Sequence, residues 1–250
     1  MRVLVTRPEP GATHTAGLLR ARGHEPVLLP LTRTVAITAS APALRGGRPA
    51  AYVVTSAAAL RHWAALGFAP EQLRTPLYAV GVATGEAARS AGFADVRIGA
   101  GDGEALAARL IADAAGGRIA LSGDALLLYV AGRVRRSRFE DLLQSAKMPF
   151  NTVEIYDTEE ISYSTDFLSR CFSMDRPVAV LLYSRNAASI LFDKLLSGID
   201  DKPLQNNVFL CMSDYVSAAV PHRFADRVFV AAAPNETDLL KLLESFSDLG

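Results

Sequence analysis

The sequence predicts a parallel α/β protein built from two copies of one module, and three observations lead there. Short apolar runs alternate with helical patterns along the whole chain, glycines and cap residues punctuate them, and the second half repeats the order of the first. At 250 residues the chain can bury the cores of two modest lobes.

Val3 to Thr6 reads as a buried strand, followed by a helix that carries Leu18 and Leu19 and stops at Gly23. Val27 to Leu29 and Tyr52 to Thr55 are further strands, with Ser56 placed to cap a helix bearing Leu60 and Trp63 and ending near Gly67. Leu77 to Val80 opens the next unit. Asp95 to Ile98 then leads through Gly99, Gly101 and Gly103 into a helix with Leu106, Leu110 and Ile111 on one side. The second half runs strand Leu126 to Val130, helix Arg136 to Leu143, strand Val153 to Tyr156, and strand Val178 to Tyr183 ending at Ser184. Val208 to Cys211 and Val228 to Ala231 follow as strands. Asn235 with Asp238 starts a last helix whose apolar face is Leu239, Leu240, Leu243 and Phe246. Laid side by side, Tyr52 to Ser56 faces Val180 to Ser184, and Gly81 to Glu104 faces Ser213 to Glu236. A cut between the copies would fall near Gly117 to Asp124, while polar Asp157 to Asp175 reads as a linker plus an amphipathic helix.

Composition excludes several classes. Lys plus Arg (26) balances Asp plus Glu (26), so no global field favours nucleic acid or an anionic membrane, and an anionic ligand must be met locally. Cys171 and Cys211 are too few and too far apart for a disulfide scaffold or zinc site, which suits a reducing cytoplasm. His14, His24, His62 and His222 are scattered and read as surface or helix-end residues. Arg7 and Pro8 interrupt any signal-type apolar run, and no segment is long and apolar enough to span a bilayer, so a soluble cytoplasmic protein is expected. There is no phosphate-binding GxxxxGK[ST], the Gly99 to Gly103 run lacks GxGxxG spacing, and no nucleophile elbow is present.

What recurs is a hydroxyl residue at the carboxyl end of a strand, just before a helix: Thr6, Thr55 with Ser56, Ser184 and Ser213, with Thr84 at the start of the helix after Gly81. Taken singly each is an N-cap; taken together they form two rims at the edge where open parallel sheets bind anions. Arg7, Arg136 and Arg185 accompany them. A run such as Arg133 to Arg138 reads either as a solvated helix face or as guanidiniums that fork onto the carboxylates of a polyanion.

Seven blocks, in order and spacing, resemble the uroporphyrinogen-III synthase family. They are the opening VLVTRP, Tyr52 to Ser56, Tyr78 to Thr84, Gly132 to Arg136, Val153 to Thr158, Leu182 to Ala188, and Ala233 to Glu236. The resemblance covers essentially the whole chain. It implies two similar doubly wound, flavodoxin-like parallel-sheet lobes joined by a two-segment linker, lobe one from residues 1–33 and 160–250 and lobe two from 34–159. The cut between repeats would then miss the lobe boundaries. It also implies the reaction: hydroxymethylbilane, a linear tetrapyrrole with eight carboxylates, loses water and closes with inversion of its last ring through a spiro intermediate. No metal or organic cofactor is implied, and nothing demands more than a monomer.

Tyr156 matches the tyrosine that the family motif places facing the cleft, and a phenol is protonated at neutral pH as a proton donor must be. The competing reading is an aromatic packed on a half-buried strand. The carboxylates would be held by Thr6, Arg7, Ser56, Thr84, Arg136, Ser184, Asn186 and Ser213 beside helix N-terminal N–H groups. The chain departs from the family pattern at Ala58, where Asn is frequent, and at Cys211 to Ser217, which lacks the Gly-x-Thr character of Gly81 to Thr84. A non-catalytic two-lobed module that binds a small anion would share the fold and rims but would not require Tyr156 or the Arg7 and Arg136 pair. A nucleotide-dependent enzyme is disfavoured by the missing phosphate loop.

Overall fold

The first strand, β1 (Arg2–Val5), is sealed on both faces: Leu4 packs into one apolar cluster, while Val3 and Val5 pack into another. Alternation of this kind puts neighbouring side chains on opposite sides of a sheet that is covered twice. The structure, a computed structural model, describes residues 1–121, 124–172, 178–197 and 204–249. Contacts divide it into two compact units, Met1–Arg33 with Glu159–Gly250, and Thr34–Thr158. No unit boundary falls in the 117–124 interval.

After β1 the chain forms α1 (Gly11–Ala21), β2 (Glu25–Leu28), β3 (Thr32–Ala36) and the short α2 (Ala41–Arg45). Then come β4 (Ala51–Val54), α3 (Ala57–Ala65), α4 (Pro70–Arg74), β5 (Leu77–Ala79), α5 (Val82–Ser90), β6 (Val96–Ile98) and α6 (Gly103–Ala115). The units β7 (Leu127–Gly132), α7 (Arg138–Ser145) and β8 (Phe150–Glu160) follow, and Ser164 caps α8 (Thr165–Cys171) by accepting from the Phe167 N–H. The chain closes with β9 (Val178–Leu182), α9 (Arg185–Ser189) running into a π turn over Ile190–Leu195, β10 (Val208–Cys211), α10 (Asp214–Ser217), β11 (Val228–Val230) and α11 (Glu236–Lys241). The last apolar stretch, Leu242–Leu249, is wound as a tighter 3-10 helix.

Unit one carries the sheet β2-β1-β9-β10-β11, parallel throughout. Unit two carries β3-β8-β7-β4-β5-β6, whose run from β8 to β6 is parallel. Counted from β7, the second sheet repeats the 2-1-3-4-5 order of the first, which is the flavodoxin-like doubly wound pattern. The two modules are the same fold entered at different points, so sequence repeats and spatial units do not coincide.

Three features differ from the sequence reading. The strand expected over Val153 to Tyr156 extends over all of β8, and β3, unpredicted, pairs with it. Ile37 N–H donates to the Ile155 carbonyl and Ile161 N–H to the Leu31 carbonyl, so one segment advances as the other runs back. These two strands carry the chain between the units, and the segment read from Asp157 as a linker plus an amphipathic helix begins as strand to Glu160, its helix being α8. The end of that segment, from residue 173, lies outside the described residues. Finally, α7 starts at Arg138, two residues later than expected, because Gly132 to Arg136 is held outside the helix by the contacts described below.

Candidate functional site

In a doubly wound sheet, strand order reverses between two neighbouring strands, and the helix starts that diverge there leave a crevice at the strands' carboxyl ends. In unit one the reversal lies between β1 and β9. Thr6 and Arg7 follow the first of these strands; Ser184, Arg185 and Asn186 follow the second. In unit two it lies between β7 and β4, followed by Gly132 to Arg136 and by Thr55 and Ser56. Of the residues read as rims, Thr6, Arg7, Ser184, Arg185 and Asn186 and then Thr55, Ser56 and Arg136 follow the strands of the switch points, whereas Thr84 and Ser213 follow β5 and β10.

In unit one, Thr6 is buried and its hydroxyl donates to the Leu181 carbonyl at 2.6 Å, which ties β1 to β9. As a side chain it belongs to the sheet, not to an open rim. Arg7 lies with its guanidinium 4.5 Å from the Tyr183 ring centre and donates to Glu236 Oε1 at 3.0 Å. Thr15 and Tyr183 also donate to that carboxylate. Burial works against ionising Glu236, but these hydrogen bonds and the Arg7 charge outweigh it and hold the carboxyl below the usual glutamate range. Burial pushes the Tyr183 phenol up to about 12, keeping it protonated. Ser184 caps α9 by accepting from the Ala187 N–H at 3.1 Å, and Asn186 is exposed on its first turn. Ser213 starts α10 without capping it through its side chain, and Arg185 lies over exposed Tyr215, 5.1 Å from the ring centre.

In unit two, Tyr156 sits half-buried opposite a register shift at Ala131/Gly132, where the β7–β8 ladder is irregular. A Cβ at Gly132 would lie 2.5–2.8 Å from the Tyr156 ring and hydroxyl, so only glycine leaves room for this ring position. Tyr156 Oη is 3.0 Å from Ser56 Oγ, which also accepts the Ala59 N–H at the start of α3. The His62 ring stacks on Tyr156, 5.3 Å between centres and 15° from parallel. On the other face of the sheet, Thr55 Oγ1 lies 2.8 Å from the Tyr129 hydroxyl, at the wall of a cavity of about 630 Å³ lined also by Val80, Asp102, Arg135 and Arg136. Two other cavities, of about 470 and 430 Å³, lie by the strand starts around Arg48 and Pro49 and share no residue with it.

The arginine run divides cleanly. Arg135 forks onto Glu140 and donates to Glu154 and the Gly132 carbonyl. Arg133 pairs with Glu154 and Asp157, and Arg138 with Glu104. Arg136 makes no ion pair or hydrogen bond among the described residues and is exposed at the cavity. The glycine run is a turn: Gly101 has φ +111° and bonds to the Val80 carbonyl, and Asp102 caps α6. Thr84 is buried in the first turn of α5, its side chain withdrawn from the surface.

Tyr156 and Ser56 are thus brought together, Arg136 joins Thr55 and Tyr129 on the opposite face, and Thr6 and Thr84 turn inward. The sequence reading missed Tyr129, Tyr183, Thr15, Glu236 and His62. The repeat alignment held one clue, since it sets Tyr183 opposite Thr55, and each engages a hydroxyl–phenol pair (Thr15 with Tyr183, Thr55 with Tyr129). It also missed the large apolar side chains left exposed among the described residues. Leu28 ends β2, and Val82, Val134 and Tyr215 follow β5, β7 and β10 within four residues. Isolated exposed apolar residues are ordinary, and these share a place at or just after the carboxyl ends of strands, with Arg185 lying over Tyr215.

The fold is shared with known proteins. Among solved structures the chain is similar to uroporphyrinogen-III synthetase from Helicobacter pylori, at 13% identity and TM-score 0.62, covering 98% of this chain and 100% of that one. It is also similar to a mutant uroporphyrinogen III synthase from the extremely thermophilic bacterium Thermus thermophilus, at 15% identity and TM-score 0.56, covering 99% and 98%. Identities this low speak for the two-lobed fold alone. No curated protein sequence matches the chain significantly. The family is carried by a sequence model, Uroporphyrinogen-III synthase HemD, which matches residues 13–241, and by that match the chain belongs to the uroporphyrinogen-III synthase family, cyclising lyases of haem biosynthesis that act on a tetrapyrrole.

Proposed function

We propose that this chain converts hydroxymethylbilane to uroporphyrinogen III and water, with Tyr156 as proton donor and the carboxyl ends of both sheets as carboxylate and pyrrole holders. The observation that carries the reading is the Tyr156 phenol, anchored by Ser56 Oγ at the carboxyl end of β4, with Arg136 exposed on the opposite face of the same sheet and Arg7 over the Tyr183 ring in unit one. Ser56 Oγ already accepts the Ala59 N–H, so its own proton is available to Tyr156 Oη. The phenol hydrogen is then left for the departing hydroxymethyl oxygen.

The pyrrole nitrogen lone pair expels that oxygen as it takes the Tyr156 proton, releasing water and an electrophilic methylene cation. The substituted carbon of the last ring attacks this carbon to give the spiro intermediate. Fragmentation and reclosure then invert that ring, and loss of a ring proton restores aromaticity and reprotonates the tyrosine. Most of the protein's contribution is orientation, which can lower the barrier of an intramolecular step by roughly 7–11 kcal/mol.

In this reading Arg7, Ser56, Arg136, Ser184, Asn186 and Ser213 meet the ligand, Thr6 acts through the two strands it ties together, and Thr84, being buried, acts only through the first turn of α5. Exposed Val82, Val134 and Tyr215 offer surface to the pyrrole faces. Balanced charge and two buried free thiols suit a cytoplasmic enzyme without nucleic-acid or membrane partners, and the reading requires no more than a monomer. No helix among the described residues is long and apolar enough to cross a membrane. The test is to incubate the protein with hydroxymethylbilane, oxidise, and resolve the isomers. Type III excess over the spontaneous type I background is expected; type I alone would reject the reading in favour of an anion-binding module.

A further inference from the structure

His62 was read from sequence as a helix-end surface residue, yet it does three things at once. It lies in α3, six residues beyond the Ser56 cap, its ring is stacked on Tyr156, and its Nε2 hydrogen-bonds Thr34 Oγ1 at 2.9 Å. Thr34 sits in β3, the strand hydrogen-bonded beside the β8 that carries Tyr156. The phenol is therefore bounded on one side by the Gly132 clearance, at its tip by Ser56, and across its face by an imidazole whose plane a second strand fixes. Burial, then the neighbouring Arg61 charge, lowers the imidazole's proton affinity, so the stacked ring is uncharged at neutral pH.

We infer that His62 is a positioning residue for Tyr156, holding the phenol at the angle from which it donates its proton, with Thr34 fixing the imidazole in turn. This rests on the proposed role of Tyr156. A packed imidazole face limits ring rotation and translation without touching substrate, so the effect belongs on turnover, not on substrate binding. A purely structural histidine would instead lower activity by the same factor whichever residue occupied position 156.

The test is a double-mutant cycle on the whole protein with hydroxymethylbilane as substrate. His62→Ala is expected to lower kcat about tenfold, with KM changed by less than about twofold. In a Tyr156→Phe background the same substitution should change kcat by less than about twofold, because the proton it aligns is gone. His62→Phe, which keeps a stacked ring and loses the Thr34 bond that fixes it, should recover part of the loss and guards against misfolding. An equal fold-loss in both backgrounds, or wild-type kcat for His62→Ala while Tyr156→Phe is impaired, would overturn the inference. If Tyr156→Phe itself turns over like wild type, the donor assignment fails instead, and if wild type makes no type III isomer, the functional reading fails first.

Discussion

Replacing Gly132 by alanine puts a methyl group where the Tyr156 ring and hydroxyl now lie, 2.5–2.8 Å away, and the ring is the more movable partner. Gly132→Ala is accordingly expected to cut turnover more than stability, with a folding cost of about 1–3 kcal/mol, seen as a small melting shift beside a large kcat loss. Tyr156→Phe keeps the ring and deletes the donor. A kcat loss of about a hundredfold, in the range general acids supply, with unchanged melting temperature is expected; unchanged kcat would remove Tyr156 from the chemistry. Glu236 makes a different statement. Its folded carboxyl titrates below the ordinary glutamate value, so its stabilisation is complete above roughly pH 4.3 and is lost as pH falls through the lower folded value. Glu236→Gln should flatten the acid limb of melting temperature against pH, and an acid limb identical to wild type would show that the Arg7 cluster does not couple to folding.

At the scale of elements, the strands of the switch points were legible because each is a short apolar run, and Ser56 and Ser184 cap the helices that follow two of them. Val3 to Thr6, Tyr52 to Thr55 and Leu126 to Val130 are recognisable from composition alone. What escaped was β3, whose Thr32, Arg33 and Thr34 alternate without strong burial and whose pairing with β8 is remote in sequence. The site was half legible for the same reason. Hydroxyls next to strand ends could be seen, but partners such as Thr15 for Tyr183 or His62 for Tyr156 depend on the packing of α1 and α3 over the sheets. Burial could not be read either: Thr6 and Ser56 look alike in sequence, yet one is sealed against the Leu181 carbonyl and the other faces the phenol. The arginine run shows how local ion pairing sorts roles. Arg136→Ala should raise KM by about five- to a hundredfold with kcat and melting temperature preserved, as expected for loss of one charge-assisted contact worth about 1–3 kcal/mol. Arg135→Ala should instead lower the melting temperature, because Glu140 loses its ion pair and Glu154 keeps only Arg133.

For the whole molecule, two copies of one doubly wound fold each present a reversal of strand order, an arginine, an anchored tyrosine and exposed apolar residues at the same edge. Under the proposed function, each such edge offers a tetrapyrrole carboxylate an arginine and strand-end hydroxyls. The most direct measurement is amide hydrogen exchange, under anaerobic reducing conditions, with and without uroporphyrinogen III. Protection is expected in both units at the segments after β1 and β9 and after β4 and β7, while the strand starts around Arg48 exchange as before. Protection limited to one unit, or centred on the strand starts, would contradict the account.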